Sequence, residues 1–526
     1  MRIHKLKCYL QVVTLLVFVG FLAARCEWGT FSNFTDRFEQ LAKTVWQDAR
    51  TESLSPKEET PAQIQLKEIA DLSDAYEAIL RYATRDFLAG YCIDDAFLMW
   101  LTSEYGEASL MQIAYEVLGT NQDENVWYET TGNSMHVLWL LYCRDTGVEP
   151  DSQNNVTWIN CKSENEAIIS FTGDMNLAED WYTTQYLNQQ ANGIYDCLSK
   201  DLIEIMQSSD ILMINNEFVY SDYTVPLEGK AYTFRADLER VSVLQELGAD
   251  FVSLANNHTY DFGAEGLLDT MEVLDQAEIA YIGAGKNIEE AKKIIYYVAN
   301  GKKIAFVSAT EIERTTQYTK EATEDSPGVL KTLRPQKFIS VIEEARKNSD
   351  YVIAIPHWGT EGNLQPDASQ IRQAKQYAQA GADVIIGGHP HRLQGIEFVE
   401  GVPVAYSLGN FWFSTGTLYT TLAQVTIEKN GSLHLKFQPC LQKDLTTSLI
   451  TDKTEKDDFY HYIAAISIDV GIDVNGNVYN IKDRQSDIAP NLPYDSKRSR
   501  TSVAGRVDND GFQIDIVGNR PEITEP

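Results

Sequence analysis

Basic residues are in short supply in this 526-residue chain: 44 Lys and Arg stand against 76 Asp and Glu, a formal net charge of −32. The deficit excludes nucleic acid as a partner, because duplex binding is driven by Lys and Arg that neutralise phosphates and release counterions. Any anionic substrate then has to be held through bound cations or a local basic patch. Cysteine is sparse and irregular, at positions 8, 26, 92, 143, 161, 197 and 440. With no CxxC and no repeated spacing, neither a zinc knuckle nor a disulfide scaffold is indicated, and a single disulfide stays open. Histidine is rarest, eight in 526, so where those eight fall carries information. What the chain has in quantity is apolar residues, 44% hydrophobic and 11% aromatic, enough for more than one core in roughly two to four domains.

Arg2, Lys5 and Lys7 precede an apolar stretch from Cys8 to Ala24 that only Gln11 and Thr14 interrupt. Residues 1–26 therefore read as a targeting segment, and its length suits either a cleaved signal peptide or an uncleaved membrane anchor. The preceding positive charges put the N-terminus in the cytoplasm and the rest outside, so the expected location is extracytoplasmic, membrane-anchored or secreted. Cys26 follows Arg25, which does not fit the small residue of a lipobox. Residues 27–61 are polar and read as a linker. Residues 62–150 carry helix-period apolar spacing, as in Ile69, Leu72, Ala75, Tyr76, Ile79 and Leu80, which predicts a small helical domain. His136 sits there in an apolar run and reads as a core residue rather than a ligand.

After Asn154 short apolar runs alternate with amphipathic stretches, the pattern of an α/β domain spanning 165–440. The runs are Ala167–Thr172, Ile211–Ile214, Phe251–Ala255, Ile304–Ser308, Tyr351–Ile355, Val384–Ile386 and Val402–Tyr406. Near its end Asn430-Gly431 separates two further runs, a hairpin signal. The extension 441–526 is acidic and irregular, with one strand-like segment from Ile463 to Val470 and a turn at Asn475-Gly476.

Five runs end in polar clusters, and ligands in open α/β folds gather outside the carboxyl ends of the strands. The clusters are Gly173-Asp174-Met175-Asn176, Asn215-Asn216-Glu217, Asn256-Asn257-His258 with Asp261, His357-Trp358-Gly359 with Glu361, and Gly387-Gly388-His389-Pro390-His391. A lone Asp after a strand is more often a helix cap. Four of eight histidines in three such loops is another matter: neutral imidazole and carboxylate are usual ligands of zinc, manganese and iron. A pair of divalent ions could clamp a phosphate-like oxyanion and activate a water.

These motifs, with Phe234-Arg235-Ala236 and Tyr406-Ser407-Leu408-Gly409-Asn410-Phe411, make the region resemble the CapA family of capsule or poly-γ-glutamate biosynthesis proteins, within the calcineurin-like metallophosphatase superfamily. The resemblance covers about half of the chain. It implies a four-layer α/β/β/α sandwich with two divalent metals (Mn, Zn or Fe) at the strand ends. Asp174 and His391 would hold one metal, with Asn176 an extra ligand where the superfamily has a histidine. Glu217 would bridge, and Asn257, His357 and His389 would hold the second. His258 would be the general acid, with Asp261 beside it in the same motif, and Arg235 and Asn215 would contact substrate. Asn216 departs from the family's usual apolar residue between Asn215 and Glu217.

Two functions follow as expectations. One is a metal-dependent hydrolase acting outside the cell on a phosphoester or an anionic, amide-linked polymer. The other is a non-catalytic, membrane-tethered capsule-assembly component that binds or guides an anionic polymer beside other capsule-synthesis proteins. Only the first needs His258 as a proton donor.

Overall fold

The structure is a computed structural model that describes residues 72–83, 93–118, 125–148, 156–315, 317–482 and 493–496. The targeting segment 1–26, the linker 27–61 and the last thirty residues lie outside the described residues. All described residues belong to one compact unit, Ile69–Pro526.

The helical period read from residue 69 onward gives helices Leu72–Ala83, Asp95–Tyr105, Glu107–Leu118, Val126–Thr131 and Met135–Thr146. Their ends follow local chemistry. Asp94 caps one N-terminus by accepting from the amides of Ala96 and Phe97, and Gly147, at φ 70°, ends the last in the left-handed conformation glycine adopts freely. Their apolar faces meet in a cluster around Phe97, Leu101, Leu110, Trp127 and Leu138.

The α/β body is built on two large sheets. One runs in the order 156–159, 295–299, 302–310, 351–357, 384–386, 402–405, 396–399. The other runs 446–449, 433–443, 418–428, 166–175, 211–216, 251–253, 280–282, with Asn410–Trp412 also pairing to Glu166–Met175. Side chains on a strand alternate between faces, and the core follows that period. Ile304 and Phe306 join Ile169, Phe171, Met213 and Phe251 in a cluster shared by both sheets. Ala305 and Val307 face a second cluster with Phe338, Ile342, Ala374 and Tyr377 of the helices Gln336–Lys347 and Ala368–Gln379. Leu212, Ile214 and Val252 face a third, with Leu202, Leu244, Leu267 and Met271 from helices 200–208, 241–247 and 263–276.

Asn430-Gly431 forms the expected hairpin, joining Leu418–Glu428 to Leu433–Lys443 with Gly431 at φ 87°. The strand expected over 463–470 is instead the end of a helix, Lys453–Ile466, with a short strand from Val470 to Ile472. Phe459, Tyr460, Ile463 and Ala464 recur at helical spacing and enter the core between the sheets, and tertiary burial of that face overrides the β-branched residues' strand preference. The four described cysteines 143, 161, 197 and 440 are free thiols. Among the described residues no helix is long and apolar enough to cross a membrane.

Candidate metal centre

Strand ends deliver the polar residues to one place. Asp174 lies at the end of Glu166–Met175, Asn215 at the end of Ile211–Asn216 with Glu217 just beyond, and His357 closes Tyr351–His357. Asn257 and His258 lie just past Phe251–Ser253, and the loop of His389 and His391 follows Val384–Ile386. Parallel pairing sets Asp174 opposite Asn215, and His357 bridges to Gly388. Two glycines allow the approach: a Cβ on Gly173 would meet the Gly409 carbonyl oxygen at 2.0 Å, and one on Gly388 would meet Asp174 Oδ1 at 3.0 Å. His389 and His391 take φ of 96° and 56°, strain that functional loops sustain when their surroundings impose it.

One ligand atom each from Asp174, Glu217 and His357 lies within 4.8 Å of the others, and all three residues are buried. His357 Nε2 is 2.9 Å from Glu217 Oε1 and 2.9 Å from Asn257 Oδ1. Asn215 Nδ2 donates to Asp174 Oδ1 at 2.7 Å. His391 Nδ1 meets Asn410 Oδ1 at 2.7 Å and lies 3.1 Å from Asp174 Oδ2, while its Nε2 is 3.9 Å from Glu217 Oε2. The ring of His389 packs 5.0 Å from that of His357 and 5.8 Å from that of His391.

Asp174 Oδ2 has only the ion-pair contact to His391 at 3.1 Å, and Glu217 Oε2 and His389 Nδ1 are buried without a hydrogen-bond partner. Such an atom costs about 1–3 kcal/mol when nothing satisfies it. All three carry lone pairs of the kind divalent cations take, so the residues present fit a metal. Asp174, Glu217 and His357 would hold it, and His389 and His391 adjoin.

The electrostatics agree. Burial opposes ionisation of Glu217, but the charges of His357 and His391 outweigh it and hold the carboxyl down at about 2. Burial likewise opposes the charge on His391, yet Glu217 and Asp174 raise it to about 10. Burial, reinforced by His357, His391 and His258, drives His389 well below its ordinary value, so it is neutral.

Beside this cluster His258 Nδ1 pairs with Asp261 Oδ2 at 2.8 Å. Asp261 also accepts from the Phe234 amide at 2.7 Å and from Lys230 Nζ at 2.5 Å. Lys230 is almost fully buried, and its ammonium also donates to the Asn257 carbonyl and faces Glu313 at 3.4 Å. Nothing local in the sequence singles out Lys230, because its partner lies 31 residues away. Asn410 was visible only as part of a motif, and its contact to His391 emerges from the pairing of its strand beside Asp174.

Asn176 and Arg235, both expected at the site, make bonds to their own loops. Asn176 is buried, but its Oδ1 accepts from the Ala178 amide at 2.8 Å. Its other end, Nδ2, is a donor and has no hydrogen-bond partner. Arg235 bonds the Ser221 carbonyl at 2.6 Å and Asp237 at 3.0 Å. Arg314, not singled out from the sequence, pairs with Asp367 at 2.8 Å, and its charge is among those that depress His389.

A sequence profile described as "Bacterial capsule synthesis protein PGA_cap" matches residues 168–415. The "PGA biosynthesis protein CapA" of Bacillus subtilis (strain 168) is 32% identical over 283 residues, 53% of this chain and 72% of that protein. The "Capsule biosynthesis protein CapA" of Bacillus anthracis is 32% identical over 266 residues, 47% of this chain and 64% of that protein. Among solved structures, a hypothetical protein from Thermus thermophilus is 14% identical over 52% of this chain and 99% of that chain, with a TM-score of 0.33. A 5'-nucleotidase from Candida albicans SC5314 is 12% identical over 54% of this chain and 53% of that chain, with a TM-score of 0.29. At 32% identity across 72% of the Bacillus subtilis protein, this chain belongs to the CapA family of capsule and poly-γ-glutamate biosynthesis proteins.

Proposed function

We propose that the chain is a metal-dependent hydrolase of capsule or poly-γ-glutamate biosynthesis, acting outside the cell on a phosphoester or an amide-linked anionic polymer. The observation that carries this reading is the convergence of Asp174, Glu217 and His357 within 4.8 Å, with Glu217 Oε2 and His389 Nδ1 buried and without hydrogen-bond partners. Two divalent ions are proposed: Asp174, Glu217 and His357 would hold them together with the adjoining His389, His391 and Asn257. Bound there, the ions supply Lewis acidity toward an oxyanion and a lowered pKa for a water.

The chain's own residues do the rest. Asn215 orients Asp174, and Asn410 orients His391. With Nδ1 directed at Asp261, His258 can give a proton to a leaving oxygen through Nε2. Arg314 is among the charges that bear on His389 and pairs with Asp367 at 2.8 Å, and its charge beside the site supports it as a group that draws an anionic substrate in. The three apolar clusters on and between the sheets support a four-layer α/β/β/α arrangement. The basic residues ahead of Cys8–Ala24 support tethering to, or export across, a membrane.

The test is metal analysis of the purified protein with turnover of bis-p-nitrophenyl phosphate in Mn²⁺ or Zn²⁺. His258→Ala should lower turnover about 10²–10⁴-fold with metal content unchanged. A wild-type protein that binds no metal overturns the reading. Metal retained with no turnover of phosphodiester or γ-glutamyl substrates favours the second reading, a non-catalytic assembly component, which the names of the Bacillus relatives suggest.

A further inference from the structure

Lys230 brings a charge into the interior from the irregular loop 221–234, with its side chain 5% exposed. An ammonium gives up strong hydration when buried, so a buried ion pair is a poor device for stability alone. The partners of Lys230 say what else the charge does. Nζ donates to the Asn257 carbonyl and, at 2.5 Å, to Asp261 Oδ1, and it faces Glu313 Oε1 at 3.4 Å. Asn257 and Asp261 flank His258 in the chain. One ammonium therefore holds both ends of the turn that carries the imidazole.

Other bonds hold the same turn. The Asn257 carbonyl also accepts from Thr319 Oγ1 at 3.0 Å, and the His258 amide donates to Asn256 Oδ1 at 3.0 Å. The Asp261 carbonyl accepts from the Leu227 amide at 2.8 Å. On the Asp261 carboxylate the donors are divided: Lys230 takes Oδ1, while the Phe234 amide and His258 Nδ1 share Oδ2 at 2.7 and 2.8 Å. The carboxylate cannot rotate away from Nδ1 without giving up the ammonium. Phe234 also packs 4.3 Å from the imidazole, so the ring is gripped at one nitrogen and over one face. Its charge bears on Glu217 and His389, which sets the ring beside the metal cluster.

We propose that Lys230 is a positioning residue for His258: by tying the Asp261 carboxylate to the Asn257 carbonyl, it sets the orientation from which Nε2 delivers a proton. The role rests on the hydrolytic reading of the site. In that reaction the bond to the leaving atom breaks, its electron pair stays with that atom, and the Nε2 proton is added there. A water supplies the oxygen that takes the vacated position and the proton that restores His258. Misplacing such a group by about 1 Å can cost on the order of 10²-fold in rate. With its ammonium turned to three protein oxygens, Lys230 acts through His258 rather than on substrate.

The test has two arms. In the metal-free full chain, ¹⁵N-histidine spectra at a pH where the ring is neutral should show His258 in a single tautomer with its proton on Nδ1. The signal lost in His258→Ala identifies it, and Lys230→Met should move it toward the average of the two tautomers. The second arm is turnover of bis-p-nitrophenyl phosphate in Mn²⁺. Lys230→Met should lower kcat about tenfold to a hundredfold, with KM within about threefold and metal content unchanged. Where His258 is already alanine, it should lower kcat by less than about twofold further. A lysine that only supports the fold would lower activity equally in both backgrounds. Lys230→Gln, which keeps a donor without the charge, gives the same comparison if the Met variant does not fold. Equal loss in both backgrounds, loss of bound metal, or a His258 signal identical to wild type overturns the role. A wild-type protein that binds metal without turnover sinks the hydrolase instead, and the metal-free spectra still decide whether Lys230 sets the ring.

Discussion

Asn176 shows how one hydrogen bond changes what a residue can do. A carboxamide ligates a metal through its oxygen, and one of the two lone pairs on that oxygen already accepts from the Ala178 amide at 2.8 Å, which turns the group toward its own loop. Asn176→Ala is therefore expected to leave metal stoichiometry at the wild-type value, whereas His389→Ala lowers it; elemental analysis of dialysed protein decides, and equal loss in both would restore Asn176 as a ligand. Lys230 presents the opposite case, a charge whose role is fixed by burial. With Lys230 and Asp261 side chains 5% and 0% exposed, Lys230→Met removes the cation from a buried carboxylate that keeps only the His258 and Phe234 donors, and should cost about 1.5–3 kcal/mol of stability by urea unfolding. Adding Asp261→Asn should recover part of that loss, a coupling a double-mutant cycle can measure. The strand-end clusters of Asp174, Glu217 and His357 were legible in the sequence because each sits where an apolar run stops. Lys230 and Asn410 were not, because what defines them is a partner brought near only by folding.

Among elements, the docking of the helices onto the seven-stranded sheet turns on a tight crossing. The Ser134 amide donates to the Gly301 carbonyl at 2.8 Å, and Ser134 Oγ donates to Asp350 Oδ2 at 2.5 Å. Lys302 lies 3.7 Å over the ring of Tyr128. Gly301 has φ 72°, and a Cβ there would meet the Gly132 carbonyl oxygen at 2.0 Å. Gly301→Ala should thus destabilise by about 1–3 kcal/mol and speed hydrogen exchange in 126–146 more than in strands 351–357 and 384–386; uniform acceleration would mean the crossing is not a local seam. The same scale explains the misread segment. Isolated, Ile463 to Val470 is rich in β-branched residues, and only the burial of Phe459, Tyr460, Ile463 and Ala464 together reveals the helix that Asp452 caps. By contrast Asn430-Gly431 was readable because a two-residue turn is decided locally.

For the molecule as a whole, pH and metal act on the folding equilibrium itself. His136 is 2% exposed, and burial, only partly opposed by Asp350, lowers its pKa from 6.5 to about 4. Between those values the unfolded chain takes up a proton that the folded chain refuses. Its neutral state therefore contributes fully above pH 6.5 and is lost as pH falls to about 4, a loss of about 3 kcal/mol. His136→Gln should flatten that part of the stability–pH curve without altering metal content; an unchanged slope would place the acid sensitivity elsewhere. Metal works in the other direction. Asp174 and Glu217 are buried beside His391, which holds a proton up to about pH 10 in the metal-free site, so a cation must displace that proton to bind. Uptake should then release protons and strengthen as pH rises from 6 to 8. At a free concentration about a hundredfold above Kd, Mn²⁺ should add about 2.7 kcal/mol to folding, a rise of a few degrees in Tm by calorimetry. His389→Ala should shrink that rise and Tyr232→Ala should not, so a loss common to both would detach the stabilisation from the metal centre.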